Sequence, residues 1–326
     1  MLTRKKSTVI VVAFVAVCGI TTASAQEKVW KHGILEPKSD AGFIAMAAKG
    51  GFAEKRGLKV ELLPIKSGST LMKALIAGEV DSVDMGAAES IVASARGTGV
   101  KIVGCAWHGM PQVVLAKAEI KTPADLKGRT IAISSPGSLP DLLVRGMLDS
   151  EKVPQTDVKF ATQGADLDRY KSLIAGITDA AVVSNEFEAV MPSNVKVLMR
   201  ASAVVPKFIR LCLATSSKVL ASRRDDLVKF VAAEMDAYKF ATGNREATIK
   251  LAHEMTHAKP GDKRAEFITD QTIRNRQIDP ALTIPVDRLE WMQELFVKAG
   301  VLKKAAPITS AIDASVRDDA IKLVGK

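Results

Sequence analysis

Short apolar runs alternate with amphipathic stretches through the first third of the chain. Four runs rich in Val, Ile and Leu are bounded by glycine or polar residues, which is typical of buried strands: 29–35, 58–65, 80–86 and 100–107. The stretches between them have the helical period, and the first, 41–55, follows the capping residues Ser39 and Asp40. This alternation predicts an open, mostly parallel sheet covered by helices on both faces.

The pattern restarts near Pro111 and then becomes helical. Strands are predicted at 112–116, 129–134, 158–162, 180–185, 195–199 and 208–215, and later helices at 225–241, 245–258, 262–274 and 286–299. We therefore predict an α/β protein of two lobes: 26–108 with 209–326 form the first, discontinuous lobe, and 109–208 form the second. The chain would cross between the lobes twice, which makes a two-strand hinge, and the helical return should pack on the first lobe.

A nine-residue segment occurs almost twice. Residues 73–81 read KALIAGEVD and residues 171–179 read KSLIAGITD, with six identical positions. In each copy a helical stretch stops at a glycine, Gly78 or Gly176, and an aspartate, Asp81 or Asp179, precedes an apolar run. The repeat favours two lobes of similar construction over chance similarity.

The first 25 residues have the pattern of a cleavable secretory signal. Three basic residues precede a short apolar region at 8–20, and Ala23-Ser24-Ala25 supplies a small-residue cleavage site. The apolar region is too short to span a membrane. Val17 before Cys18 argues against lipidation. We expect a mature chain that begins at Gln26 and is exported to the periplasm.

Charge and composition exclude some classes of function. The formal net charge of +10 becomes +7 once the signal segment, with three basic and no acidic residues, is removed. Aromatic residues make up only 5% of the chain and do not interleave with basic runs, so we expect no nucleic-acid partner. Cys105 and Cys212 remain in the mature chain, on the strands at the two crossings. A pair of buried thiols and a single disulfide are both compatible with that placement.

The predicted strand ends carry polar and glycine residues that suit ligand binding. In open α/β sheets the binding crevice lies beyond the carboxyl ends of the strands. The helices that start there offer backbone N–H groups and a dipole that favours anions. The candidate binding residues at these ends are Lys38, Ser39, Asp40, Ser67, Gly68, Ser69, Thr70, Gly86, Ala87, Ala88, Trp107, Ser135, Gly137, Ser138, Asn185 and Glu186.

Three segments resemble the nitrate/sulfonate/taurine-type solute-binding proteins of ABC importers. They read GFAEKRGLKVELLPIKSGSTLMKALIAGEVDSVDMGAAES, KTPADLKGRTIAISSPGS and IAGITDAAVVSNEFEAV. The resemblance implies a type II periplasmic binding protein fold, whose two lobes close on a small solute and deliver it to a membrane permease. It implies pocket residues at 38–40, 67–70, 86–88 and 135–138. We expect a monomer that binds a small, anionic solute such as a sulfonate, nitrate or carboxylate.

Two glutamates complicate an anionic solute. Lys38 and Lys66 would suit an anion, but Glu89 and Glu186 also follow predicted strand ends. A carboxylate beside an anion in a closed site is costly. Either these glutamates point away from the cleft, or the solute carries a hydrogen-bond donor or a positive charge for them.

One motif suggests a different chemistry. Residues 253–257 read HEMTH, a match to the H-E-x-x-H pattern of zinc peptidases. On a helical wheel His253 and His257 lie with Glu246 and Lys250 opposite an apolar stripe, which is typical of a solvated face. We therefore expect no catalysis, no metal and no cofactor. A secreted zinc metallopeptidase using His253, Glu254 and His257, and an enzyme on the same two-lobed scaffold, are the alternatives.

Overall fold

A computed structural model of the protein describes residues 29–325. The predicted signal segment, its cleavage site and Cys18 lie outside the described residues. Between residues 29 and 325, no helix has the length and apolar character needed to cross a bilayer.

Within residues 29–325, ten strands form two mixed sheets of five strands each. In chain order the strands are β1 (Trp30–Leu35), β2 (Val60–Ile65), β3 (Ser82–Gly86), β4 (Val100–Trp107), β5 (Gln112–Lys117), β6 (Thr130–Ile133), β7 (Lys159–Thr162), β8 (Ala180–Ser184), β9 (Val195–Arg200) and β10 (Leu211–Ser216). The first sheet has the order β2-β1-β3-β10-β4, and the second has the order β7-β6-β8-β5-β9. The predicted α/β class is confirmed.

Each sheet is mostly parallel, as expected, with one strand that runs against the other four. In the first sheet β1 is parallel to β2 and β3, but β10 is antiparallel to β3 and β4. In the second sheet β5 is likewise antiparallel to β8 and β9. The reason is the double crossing: β4 ends where the chain leaves the first sheet and β10 begins where it returns, so the two strands run in opposite directions.

Thirteen α-helices cover the sheets within the described part of the chain. They are α1 (Ala41–Ile44), α2 (Met46–Lys49), α3 (Gly68–Ala77), α4 (Ala87–Ala95), α5 (Leu139–Ser150), α6 (Asp166–Ile174), α7 (Ala201–Val204), α8 (Ser217–Ser222), α9 (Arg224–Gly243), α10 (Arg245–Thr256), α11 (Arg264–Arg274), α12 (Val286–Lys298) and α13 (Ala314–Ile321). The predicted helix 41–55 is broken into α1, α2 and a 3₁₀ turn at Glu54–Arg56. Gly50 and Gly51 end α2, the latter at φ +79°, a backbone conformation that favours glycine.

The two repeat copies occupy the same place in the two sheets. They are α3 with β3 and α6 with β8, and each helix is followed by a glycine in the left-handed conformation. The backbone N–H of Asp81 donates to the carbonyl of Lys31 over 2.8 Å, and its carboxylate accepts from the N–H of Lys31 over 2.8 Å. Asp179 makes the same two hydrogen bonds with Thr130, over 2.9 and 3.0 Å. In each sheet the repeat therefore forms the same local structure, in which an aspartate after a helix and a turn is hydrogen-bonded to the inner strand.

The crossing region is covalently closed. Cys105 on β4 and Cys212 on β10 form a disulfide, with their Cα atoms 3.9 Å apart. The pairing of β4 with β10 shifts register here, so that two residues of β4 oppose one residue of β10. The sequence was compatible with two buried thiols or with one disulfide, and the structure has the disulfide.

The helical return contacts both sheets. Helices α9, α10 and α13 pack with elements of the first sheet, as expected. However, α12 lies against both α4 and α5, and α11 contacts the 3₁₀ segment Asn185–Val190 of the second sheet. The return therefore also ties the second group of strands to the first.

Candidate functional site

A cavity of about 670 Å³ lies between the two sheets. It is bounded by the segment after β1, the end of β3, the segment after β8 and the starts of α5 and α6. Seven of the predicted binding residues line it: Lys38, Ser39, Asp40, Gly68, Gly86, Ser138 and Glu186. Both glutamates whose orientation was open, Glu89 and Glu186, also line it.

The other predicted residues lie elsewhere. Five of them do not line the cavity: Ser67, Ser69 and Thr70 cap or begin helix α3, and Ser135 and Gly137 lie in the loop before α5. Ala87, Ala88 and Trp107 are fully buried in apolar clusters. Asn185 lines a second cavity of about 740 Å³, on the side of the start of β5 and helix α11.

Several residues that line the main cavity were not predicted. They include Asp84, Gln112, Asp166, Arg169, Phe187 and Arg210. Asp166 and Arg169 follow the carboxyl end of β7, a strand whose end was not searched for binding residues. Arg210 lies at the second crossing, and Trp107 lies directly behind it, with the guanidinium 3.7 Å from the indole centroid. The rule that ligands bind at the carboxyl ends of strands, applied to β7 as well, would have identified Asp166 and Arg169.

An ion-pair network fills one side of the cavity. Lys38 Nζ lies 2.6 Å from Asp166 Oδ2 and 3.9 Å from Asp40 Oδ2. Arg169 pairs with Asp166 and Arg210 pairs with Asp40. Burial would raise the pKa of Asp166, but Arg169 and Lys38 lower it to about 2. Burial would likewise lower the pKa of Lys38, and Asp166 and Asp40 raise it above its usual value.

Glu186 is held at the edge of this network. Its Oε1 accepts a hydrogen bond from Ser39 Oγ over 3.1 Å, and its Oε2 is buried without a partner among residues 29–325. Burial raises the pKa of Glu186 to about 7, against the opposing effect of Lys38 and with a further increase from Asp40. A buried carboxyl oxygen without a partner is an acceptor that a bound molecule can satisfy.

Glu89 occupies the start of helix α5, the position where an anion was expected. Its Oε1 accepts the backbone N–H of Leu139 over 2.5 Å, and burial raises its pKa to about 8. The nearby N–H of Gly137 donates to Asp141 over 2.7 Å, and that of Ser135 donates to Ser138 Oγ over 3.3 Å. Side chains of the protein itself therefore already accept from three N–H groups at and just before this helix start.

Side chains at Gly68 or Gly86 would collide with Glu89 in its present position. A Cβ atom at Gly68 would lie 2.3 Å from Glu89 Oε1, and one at Gly86 would lie 2.0 Å from Glu89 Oε2. These two predicted residues therefore leave space for an internal carboxyl group.

Hydrogen bonds between the two groups of strands close the cavity. Ser39 reaches Glu186, Lys38 reaches Asp166, and Leu139 reaches Glu89 across the gap. At the rim, Ser69 Oγ lies 2.8 Å from Ser135 Oγ. The same loops that line the cavity thus also hold its two sides together.

The HEMTH segment does not form the zinc-peptidase arrangement. Helix α10 ends at Thr256, and His257 follows it in the left-handed conformation at φ +49°. The two imidazoles therefore do not share one helical face. His253 Nε2 lies 3.4 Å from Glu266 Oε2, whereas His257 is exposed, as expected, and also lines the main cavity.

Comparison with known proteins identifies the fold and the family. The periplasmic nitrate-binding protein NrtA from Synechocystis superposes with a TM-score of 0.74 at 15% identity, over 92% of this chain and 90% of that one. The alkanesulfonate-binding protein SsuA from Xanthomonas axonopodis, bound to MOPS, superposes with a TM-score of 0.71 at 17% identity, over 87% of this chain and 97% of that one. The desulfurization enzyme DszB superposes with a TM-score of 0.64 at 13% identity, over 90% of this chain and 99% of that one.

These likenesses confirm the predicted periplasmic binding protein fold. No curated protein matches the chain. The family model described as NMT1/THI5 like matches residues 38–248, about two thirds of the chain. The resemblance noted in the three sequence segments is confirmed, and the chain belongs to the NMT1/THI5-like family.

Proposed function

We propose that the protein is the periplasmic substrate-binding component of an ABC importer. It would capture a small solute in the 670 Å³ cavity and deliver it to a membrane permease, as a monomer formed by the lobes 26–108 with 209–326 and 109–208. The observation that carries the proposal is the cavity itself: polar side chains from two similar sheets meet there and hydrogen-bond across it. Binding in such a cleft requires lobe closure and no covalent chemistry.

The charges around the cavity favour a solute with hydrogen-bond donors. Eight carboxyl groups and six Lys or Arg side chains line it, a formal excess of two negative charges. Four of the six basic groups are paired internally: Lys38 and Arg169 with Asp166, Arg210 with Asp40, and Arg264 with Asp262. The expected anion position at the start of α5 is taken by Glu89.

We therefore propose a small neutral, zwitterionic or cationic solute with N–H or O–H donors, in place of the simple oxyanion expected from the sequence. Glu186 Oε2 and Asp40 Oδ1, both without partners among the residues described, would accept from those donors. Arg210 Nη1, equally without a partner there, can donate to an acceptor on the same solute.

A paired ligand screen tests this proposal. Thermal shift and isothermal titration at pH 8 would compare amines, amides and zwitterions with sulfonates, nitrate and simple carboxylates. We expect stoichiometric binding within the first group, without turnover, and a rise in melting temperature with ligand concentration. Stoichiometric binding of an oxyanion alone would refute the donor-bearing solute but keep the binding role.

Matched variants locate the binding. Glu186→Gln should weaken the affinity roughly 10- to 100-fold, since a hydrogen bond to a charged group contributes about 1.5–3 kcal/mol. Glu188→Gln is the control, because Glu188 lies on the same 3₁₀ segment but lines the other cavity and pairs with Arg200. Equal loss in both variants would place the site elsewhere.

The enzymatic alternatives make different demands. A peptidase would lose activity with Glu254→Gln, whereas this variant should leave solute affinity unchanged. An enzyme on the scaffold would convert its bound molecule. Recovery of unaltered solute from the complex, measured by mass spectrometry, separates binding from turnover.

A further inference from the structure

A group of ionisable side chains is buried in the first lobe, behind the cavity wall. His32 on β1, Asp84 on β3 and Glu234 on α9 are each at most 2% exposed. One potential ligand atom from each residue lies within 4.8 Å of the other two. Two carboxyl groups and an imidazole in an apolar core need a compensating interaction to be tolerated.

The positions of the three residues on β1, β3 and α9 bring their side chains together. β1 and β3 are parallel neighbours in which His32 is in register with Ser82, so His32, Ser82 and Asp84 lie on one face of the sheet. On α9, Phe230, Glu234 and Tyr238 are spaced four residues apart and form one stripe. Phe230 packs on the imidazole of His32, with ring centroids 4.7 Å apart, and places Glu234 opposite it.

Three buried atoms of this group have no hydrogen-bond partner within the described chain. They are His32 Nε2, Asp84 Oδ1 and Glu234 Oε1, one from each residue. Buried polar atoms are nearly always satisfied in folded proteins, so three unsatisfied atoms in one place point to a missing partner. All three can donate an electron pair to a metal ion.

The surrounding hydrogen bonds orient the three residues for this role. Ser82 Oγ lies 2.8 Å from His32 Nδ1 and also accepts from Trp30 Nε1 over 3.0 Å. If Nδ1 carries the proton, Nε2 keeps its lone pair for a ligand. The hydroxyl of Tyr238 donates to Asp84 Oδ2 over 3.2 Å, leaving Oδ1 free. Support of this kind, on the far side of each ligand, is typical of protein metal sites.

We propose that His32, Asp84 and Glu234 bind one divalent transition-metal ion of the size of zinc. One nitrogen and two carboxylate oxygens suit Zn²⁺ and its first-row neighbours better than Ca²⁺ or Mg²⁺, which prefer all-oxygen sites. His32 Nε2 lies 3.8 Å from Asp84 Oδ2, the oxygen that accepts from Tyr238, so the free Oδ1 belongs to a carboxyl group already beside the imidazole. A tetrahedral ion at ordinary bond lengths separates its ligands by about 3.4 Å, so small side-chain movements complete the site.

The charges and the position of the group are consistent with this assignment. Arg210 is a nearby positive charge, but it is paired with Asp40. Asp84 also lines the 670 Å³ cavity, which gives an ion a route from solvent. The sequence led us to expect no metal, and the three residues, which are 52 and 150 positions apart, form no motif that would indicate one. This inference does not depend on the proposed solute-binding function.

The experiment compares the mature protein from zinc-supplemented and from metal-depleted cultures. Zinc per chain is measured by mass spectrometry after gel filtration, and the melting temperature by calorimetry. We expect one retained zinc ion per chain and a melting temperature a few degrees higher than in the metal-depleted protein. Cobalt substitution should give visible bands for a site of nitrogen and oxygen ligands.

Two variants and one control define the site. Glu234→Gln and Asp84→Asn, which keep side-chain size, should each lower metal affinity at least 10-fold and abolish the melting shift. His253→Ala is the control, because His253 lies near Glu254 and Glu266 in a surface depression that could hold zinc adventitiously. No retained metal in the unmodified protein, or loss of metal in His253→Ala alone, would overturn the proposal.

Discussion

The two five-stranded sheets with their covering helices, here called the first and the second lobe, share one plan but differ in what they bury at equivalent positions. Asp81 and Asp179 fix the correspondence, because each precedes the third strand of its sheet and makes the same pair of hydrogen bonds to the inner strand. By that correspondence His32, Ser82 and Asp84 in the first lobe match Ile131, Ala180 and Val182 in the second. The second lobe packs these apolar residues into a continuous core.

The comparison shows that the fold does not require polar groups at these positions. The second lobe forms the same sheet with Ile131, Ala180 and Val182 fully buried. A further difference lies in the strands joined at the crossings: β4 and β10 carry the disulfide, whereas the equivalent strands β9 and β5 contain no cysteine. The first lobe thus has two additions to the shared plan, a covalent link and a buried ionisable group.

Removal of the disulfide should have the largest effect on stability. The bridge spans 107 residues, and closing a loop of this length contributes about 3–5 kcal/mol in the chain-entropy model. The double variant Cys105→Ala, Cys212→Ala should lower the free energy of unfolding by that amount, measured by urea titration. A decrease in the free energy of unfolding of less than about 1 kcal/mol would mean that the disulfide is not an important difference between the stabilities of the two lobes.

Glu89 follows β3 and Glu186 follows β8, which stand third in the order of their sheets. Both groups should make the free energy of unfolding depend on pH. Burial raises their pKa values to about 8 and about 7, so between pH 4.5 and 8 the native state binds more protons than the unfolded state. The free energy of unfolding should therefore fall as pH rises through this window, by up to ~1.4 kcal/mol per pH unit for each group.

Glutamine substitution separates the two groups. Glu89→Gln should remove more of this slope than Glu186→Gln, since its pKa is the higher. Unfolding by urea at pH 5, 6, 7 and 8 checks the ranking, and a slope that survives in the double variant would assign the pH dependence to other residues.

Replacing the polar group by apolar residues, with the second-lobe residue types at positions 32 and 84, sharpens the comparison. The triple variant His32→Ile, Asp84→Val, Glu234→Leu should stabilise the metal-free protein by about 1–4 kcal/mol, as found for other buried ionic groups replaced by apolar side chains. Thermal unfolding of metal-depleted samples measures this difference. Destabilisation by a similar amount would show that the group is satisfied without a metal.

The repeated aspartates should have the smallest effect. Asp81→Ala and Asp179→Ala each remove the carboxylate that accepts an N–H of the inner strand, at a cost of about 1–3 kcal/mol. Asp81 also pairs with Arg223, and Asp179 with Lys117, so the two losses should be similar. A large difference in urea midpoint would mean that the two copies are not equivalent.

Local patterns predicted most elements of the fold. Alternating apolar runs placed every strand to within a few residues, and the repeat identified the shared helix–turn–strand segment. The direction of β5 and β10 was missed, because strand direction depends on where the chain re-enters a sheet and not on the residues of the strand. The end of α2 was missed because the prediction of one helix over 41–55 passed over Gly50 and Gly51.

The site was harder to predict than the fold. The strand-end rule identified the segments that meet at the cavity, including Lys38, Asp40 and Glu186, but it could not tell which N–H groups the protein's own side chains would satisfy. Glu89 at the start of α5 is the main example, because the contact joins residues 50 positions apart. Likewise, nothing local in the sequence brings His32, Asp84 and Glu234 together.

The bond between Cys105 and Cys212 also determines how the molecule responds to cleavage. These cysteines bracket the whole inserted segment of the chain, so a protease that cuts once anywhere between them separates no fragment while the bridge is oxidised. The nicked molecule would migrate as one species on a non-reducing gel and as two after reduction. In an oxidising compartment such a protein keeps both halves after damage to an exposed loop.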